Sequence, residues 1–515
     1  MGKTIFVSTA CPYVNAPPHI GHSLEFVQAD VIARYFKMQG NDVFFMSGTD
    51  DNSLKNVLAA KKEGVDVQKF VSRNAKRFFD LRDVLNISFD DFVRTREERH
   101  FKGAQKLWLS FKTDDIYKKN YRGRYCVGCE VFYTLDELVD GNCPEHLKPP
   151  VEVEEENYFF KLSNYQKIIL EIIASDKLKI TPQTRKNEIL SFIRGGLKDF
   201  SISRSIERAQ NWGVPVPNDP SQIMYVWVDA LSYYITALDY YSEGGPFHKY
   251  WLSSDKRIHV IGKGIIRFHA VYWIAMLLSA GVPLPTEEFV HGYVTVSGGQ
   301  KISKSLGNVI DPFEVVQTYG TDATRYYLLR EIPAYGDGDF SFRRFEELYN
   351  ADLANGLGNL VARVLALVEK YCGGKVPEIR SDPDSHPLRV DEKIYNWKKA
   401  WKDIDEFLLQ YRFSEALESV WKFIGEADKY INQNRPWELA NKDRMEFNWV
   451  VYGLLDAIHQ IAWQIFPFMP DTSRKIAESL GIETLLVANP QYKDSWANVQ
   501  SGTIIKSGPQ LFPKI

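Results

Sequence analysis

The sequence predicts an α/β protein: a parallel-sheet domain split by an insertion, followed by a helical second half. Three observations predict it. Short apolar, β-branched runs that hand over to helical periodicity occur near the start of the chain and again from about residue 222. Between them, residues 116–224 change style, with clustered cysteines, the acidic run VEVEEENYFF, and NWGVPVP. From residue 350 onward the apolar residues recur at helical spacing. Parallel strands need crossover connections, so two separated βα blocks can share one sheet around an insertion.

Each element follows from its residues. TIFVST, residues 4–9, is short and β-branched and reads as a buried strand. Pro12, Pro17 and Pro18 forbid regular structure through the next turn. Leu24, Val27, Val31, Tyr35 and Met38 then mark one helical face that Gly40 ends. DVFFMSGTDD is a second strand, and polar helices follow to about 115. The βα pattern resumes with IMYVWVDA and RIHVIGKGII. SGGQKISKSLGN opens a segment that passes through the Gly/Pro-containing IPAYGDGDFSF. Farther on, Leu417, Val420, Trp421, Ile424, Tyr430 and Ile431 share a helical face, and VVYGLLDAIHQIAWQIF is apolar nearly all round, as in a buried bundle helix. The expected boundaries are 1–115 and 225–297 for the two α/β halves, 116–224 for the insertion, 298–349 for the loop-bearing segment and 350–515 for the helices.

Composition narrows the function classes. A chain of 515 residues exceeds one core. Its net charge of -3 announces no bulk polyanion binding, although a local basic face is compatible with it. Five cysteines, three of them crowded at Cys126, Cys129 and Cys143, argue for metal in a reducing cytosol rather than a disulfide framework. No apolar stretch is expected to span a bilayer, and no signal or transit peptide is seen. The expected location is cytoplasmic.

Two stretches carry the chemistry. His19-Ile20-Gly21-His22 sits where a strand hands over to a helix N-terminus, whose free N–H groups and dipole favour phosphate. Alone, the pair reads equally well as two surface histidines. Lys301 and Lys304, with Ser303 and Ser305, lie behind Gly298 and Gly299 in a second loop of phosphate ligands. Taken together, the two loops can grip opposite sides of a triphosphate.

With these motifs the chain resembles a class I aminoacyl-tRNA synthetase, whose signatures appear here as H-I-G-H and K-I-S-K-S. ACPYVNAPPHIGH, GTDD, YVWVDA, FHAVYW, GNLVAR and NRPW are similar, in order, to the methionyl-tRNA synthetases. The resemblance implies a Rossmann-type catalytic domain split by a zinc-binding connective insertion, then a stem-contact fold and an all-α anticodon-binding bundle. It implies methionine–tRNA ligase activity on L-methionine, ATP with Mg²⁺, and tRNA(Met); apart from the resemblance, a monomeric chain and no membrane partner are expected. His19, Gly21, His22 and Lys304 would bind ATP, with Lys301 assisting catalysis. Cys11, Tyr13, Asp50, Trp227, Ala230, Leu231, Tyr234, Ile265 and His269 fall on methionine-pocket positions, Asp50 as the carboxylate for the substrate ammonium. Asn359, Arg363 and Trp437 match the anticodon readers. The chain departs from the family pattern at Ile302, Leu231, Gly264 (often acidic) and Asn52 (commonly histidine).

The cysteine cluster also reads from spacing alone. Cys126-x2-Cys129 and Cys143-x2-His146 form two close ligand pairs suited to one tetrahedral Zn²⁺, a closed and therefore structural site. A cysteinyl enzyme, a non-catalytic tRNA-binding relative and a small nucleotidylyltransferase are the competing readings. Tyr13, Trp227 and the distant knuckle weigh against the first, the intact His19, His22 and Lys304 against the second, and the helical half against the third. The chain has no room for a large editing insertion, so correction of homocysteine would fall to the synthetic site.

Overall fold

The computed structural model describes the chain apart from residues 1, 127–130, 134, 145–146, 243, 297, 302–306, 380–387, 389–394, 483–498 and 507. The side chains of residues 131, 132, 136 and 301 also lie outside the described set. At its centre is a six-stranded parallel sheet. Its order is Asp91–Arg94 (β3), Asp42–Thr49 (β2), Thr4–Thr9 (β1), Lys256–Gly262, Glu287–His291 and Lys179–Thr181. The chain winds outward from β1 in both directions. The carboxyl ends of β1 and Lys256–Gly262 therefore flank the crevice where such sheets place ligands.

β1 is buried on both faces, as a central parallel strand must be. Ile5 and Val7 point into one core and Phe6 into the other, the period-two alternation of a strand. The first core holds Ile20–Met38 (α1), the helices Pro312–Tyr319 and Thr321–Arg330, and the C-terminal bundle. The second holds the root of the insertion and the helix Val226–Thr236.

The segment 116–224 contributes more than a separate insertion. Ile116–Cys126 and Val151–Phe160 form a long antiparallel ribbon, and the acidic run lies opposite a basic strand, with Arg122 bonding Glu152 at 2.7 Å. The charged end is exposed, so such pairs add little stability. Phe159 and Phe160 anchor the buried root. Lys179–Thr181, however, returns to the main sheet and pairs with Glu287–Phe289.

The second half is helical. The face of Leu417, Val420, Ile424, Tyr430 and Ile431 is buried, with Trp421 half-buried beside it. Val450–Ile465 is buried all round, as its composition predicts. One expectation is corrected. Among the described residues the continuous helix Phe342–Cys372 is long and apolar enough to cross a membrane. Its apolar window is 56% buried, against the helices Phe413–Asn434 and Arg444–Ile465 among others, which accounts for the apolar composition within the bundle.

Arg325, fully buried, ties the halves together. It pairs with Asp30 of α1 at 2.8 Å and donates to the carbonyls of Leu85, Pro467 and Phe468. Burial alone would raise the Asp30 carboxyl, but Arg34 and Arg325 outweigh it and hold it below the usual range.

Candidate active site

The two histidines of the first loop cap each other. His19 is the N-cap of α1, and its Nδ1 accepts from Gly21 N–H at 3.1 Å. His22 Nδ1 accepts from His19 N–H at 3.1 Å, closing a reciprocal box built from imidazoles. With both Nδ1 atoms accepting, each neutral ring keeps its proton on Nε2. Burial first, and His19 second, push the His22 imidazole well below its ordinary range, so it is neutral. The rings lie 3.9 Å apart. A Cβ at Gly21 would sit 2.9 Å from the His19 ring, so glycine is what permits the box. Ile20 N–H donates to Ile310 O at 3.0 Å, fastening the chain just past the lysine loop to the same helix start.

Above this N-terminus lies a cavity of about 500 Å³ at the carboxyl edge of the sheet. It gathers Cys11, Tyr13, His19, Gly21, His22, Asp50, Trp227, Ala230 and Ile265 from segments far apart in sequence. Asp50 is placed by a bridge to Tyr13 and by its N–H donating to Pro12 O at 2.8 Å. Trp227 stacks flat on Phe268 at 3.7 Å and meets Tyr13 edge-on. Burial, then Asp50, push the Cys11 thiol well up, so it serves as an apolar wall atom rather than a nucleophile.

Leu231, Tyr234 and His269 do not line the cavity; they stand buried behind its wall. The His269 Nδ1 lies 2.9 Å from Ile265 O, an acceptor only, so Nδ1 carries the proton. Its Nε2 therefore accepts from the Tyr234 hydroxyl at 2.7 Å. Burial lowers this imidazole to about 4.

A glutamate and a histidine of the cavity, among other lining residues, escaped sequence reasoning. Glu25 accepts from Ala10 N–H at 2.7 Å and meets His291 Nε2 at 2.9 Å, while His291 Nδ1 donates to Gly292 O at 2.7 Å. Glu25 is three residues beyond His22 on one helix face, a readable signal. His291 arrives only through sheet pairing.

Two departures from the family pattern have structural reasons. Asn52 is buried and donates to Asp229 at 2.8 Å and Thr95 O at 2.9 Å, and His100 holds the other Asp229 oxygen at 2.6 Å. This network braces the helix bearing Trp227 and Ala230. At Gly264, an added Cβ would fall 2.1 Å from the Tyr293 hydroxyl.

In the lysine loop, Gly298 and Gly299 take φ of 81° and 94°, and their N–H groups donate to Asp339 at 2.8 and 3.0 Å. Lys301 pairs through its backbone with Thr295; its side chain and Lys304 lie outside the described residues. Of the proposed zinc ligands, Cys126 ends a ribbon strand and Cys143 follows the Asp140–Gly141 turn, both buried; Cys129 and His146 are outside the described residues. No metal-ligand cluster forms among the described residues.

In the bundle, Asn359 is exposed and Arg363, one turn on, is held by an ion pair to Asp428 and by Asn432 at 2.7 Å. Trp437 is 41% exposed, on a short helix that starts at Pro436 after the left-handed Arg435.

Comparison with known proteins agrees with this architecture. The family described as "tRNA synthetases class I (M)" matches residues 5–150 and 146–365, which places the catalytic half among the class I tRNA synthetases. Residues 390–515 match "Anticodon binding domain of methionyl tRNA ligase". The methionine–tRNA ligase of Thermotoga maritima is 41% identical over 99% of this chain and 80% of its own length. That of Brucella suis is 40% identical over 99% of this chain and 97% of its own. The Mycobacterium tuberculosis methionyl-tRNA synthetase in complex with methionyl-adenylate superposes with a TM-score of 0.90 at 38% identity, over 99% of this chain and 100% of that one. The chain belongs to the methionine–tRNA ligase family.

Proposed function

We propose that the chain activates L-methionine with ATP and transfers it to tRNA(Met). The single observation that carries this reading is the cavity that gathers the capped histidines, Asp50 and Trp227 at the sheet's carboxyl edge. The methionine carboxylate supplies its own nucleophile. It attacks the α-phosphorus of ATP, forming methionyl-adenylate as the bond to pyrophosphate breaks. The terminal ribose hydroxyl of the tRNA then attacks the adenylate carbonyl and AMP leaves. No general base is needed for activation, so the site works by positioning and by stabilising developing charge.

In this reading His19 and His22 donate from Nε2 to the triphosphate at the positive end of α1, and Gly21 allows the close approach. Lys304, assisted by Lys301, clamps pyrophosphate, and Mg²⁺ accompanies the ATP. Asp50 holds the substrate ammonium. Cys11, Tyr13, Trp227, Ala230 and Ile265 form the wall for the thioether, which suits aromatic edges. Leu231, Tyr234 and His269 back that wall. Asn359, Arg363 and Trp437 read the anticodon, by edge contacts and by stacking.

Zinc fits the described half of its donor set, two buried thiols, one at the end of a strand and the other just after the Asp140–Gly141 turn. Cys126, Cys129, Cys143 and His146 would hold it, and the ion would order the insertion without touching the reaction. The boundaries 1–115, 116–224, 225–297, 298–349 and 350–515 are retained as functional units, with Lys179–Thr181 of the second embedded in the catalytic sheet. We further propose a cytoplasmic monomer.

ATP–pyrophosphate exchange measured with each of the twenty amino acids tests the reading. Methionine is expected to drive exchange; strong exchange with cysteine and none with methionine would overturn it.

A further inference from the structure

One row of the main sheet is chemically out of place. Parallel pairing sets Ser8, His259 and Glu288 side by side on β1, Lys256–Gly262 and Glu287–His291. Directly paired residues project from the same face of a sheet. All three are fully buried. Ser8 Oγ meets His259 Nδ1 at 2.7 Å. Beyond that the row is unsatisfied: His259 Nε2 and both carboxyl oxygens of Glu288 have no hydrogen-bond partner among the described residues. Trp273 Nε1, behind the same wall, has none either. Buried polar groups left unpaired are destabilising, so such a cluster needs a reason.

The row lies directly behind the thioether wall. The His259 ring packs on Tyr234 with centroids 3.9 Å apart, and stands 6.4 Å from His269. Tyr234 and His269 are the hydrogen-bonded pair that backs the cavity. His259 is thus the platform for a residue whose hydroxyl direction shapes the wall.

We propose that Glu288 and His259 share one proton through a single bridging water, and that this pair positions the Tyr234–His269 wall for methionine. Burial holds the Glu288 carboxyl well above its usual range and the His259 imidazole well below its own, so both are neutral. A neutral carboxyl offers one O–H donor, and a neutral imidazole whose Nδ1–H donates to Ser8 Oγ offers Nε2 as the acceptor. The arrangement locks the tautomer and orientation of the platform ring. Glu288 and His259 are positioning residues; neither lines the cavity.

The inference rests on the proposed methionine activation, and wild-type exchange checks that first: no methionine-dependent exchange would sink the activity itself, not this pair. E288L and E288Q then test the pair. Leucine removes the donor and fits an apolar core, so a merely structural carboxyl predicts unchanged kinetics and equal or higher Tm. Proton sharing predicts that E288L raises the methionine KM about tenfold. The ATP KM should stay within about twofold, and E288Q, which keeps a neutral donor, should stay close to wild type. Infrared difference spectra should show a protonated-carboxyl stretch that is lost in E288Q and shifts when methionine binds. An unchanged methionine KM in E288L, or methionine and ATP KM values rising together as Tm falls, overturns the proposal. If E288L does not fold, the wild-type spectrum decides: a band that is absent or insensitive to methionine also overturns it.

Discussion

His269 keeps its proton on Nδ1 and accepts on Nε2, so a second proton would break its bond from Tyr234. Its folded-state value, about 4, lies below the ordinary 6.5. Between those values the folded protein binds fewer protons than the unfolded chain. Stability supplied by the neutral ring is therefore complete above about 6.5 and is lost as pH falls toward about 4. Tm measured from neutral pH down to about pH 5 should drop more steeply for wild type than for H269Q; parallel profiles would refute this. Trp437 makes a different residue-scale test. At 41% exposure it is no core residue, although its place in the sequence did not settle that. Losing a base stack costs about 1–3 kcal/mol, so Trp437→Ala should cut tRNA charging by roughly ten- to a hundredfold. Adenylation should be spared, and equal loss of both activities would count against anticodon stacking.

At the scale of elements, α1 does two jobs with one stretch of sequence. Its N-terminus presents the capped histidines, and its body carries Asp30 to the Arg325 knot. The helix was legible from the spacing of Leu24, Val27 and Val31, but the mutual capping was not, because it depends on ring directions. The ribbon of the insertion shows a similar limit. In the sequence its acidic run marks only a change of style, and it is the pairing of Ile116–Cys126 with Val151–Phe160 that sets it against lysines and arginines. Beyond the ribbon's outer end, Cys143→Ala should release zinc from the purified protein and lower proteolytic resistance around residues 116–160. It should leave methionine-dependent exchange nearly intact. Freshly purified wild type that contains no zinc would remove the metal site from the account.

For the whole molecule, one core runs from α1 through Thr321–Arg330 into the bundle, so the catalytic and helical halves are not beads on a linker. Arg325 sits at their junction with no exposure and with carbonyls of both halves as acceptors. Arg325→Met keeps the volume and removes the charge, stranding Asp30 with Arg34 as its remaining cation. Breaking a buried pair in this way should destabilise by about 3 kcal/mol or more. The measurement is the denaturation midpoint, and an unchanged midpoint would show that the two halves are held by apolar contact alone.

The sequence by itself determined what depends on neighbours along the chain. The strand-to-helix handover at His19 and His22, the apolar faces of the bundle, the glycine-rich root of the lysine loop and the paired cysteine spacing are all local patterns, set by backbone geometry over a few residues. Tertiary structure decided what depends on distance. It placed His291 beside Glu25, set Tyr234 and His269 behind the cavity wall rather than on it, and carried Lys179–Thr181 out of the insertion into the main sheet. It also put Glu288 next to His259. Strand register and helix docking are settled by the burial of whole faces at once, and that cooperative packing leaves no mark at any single position.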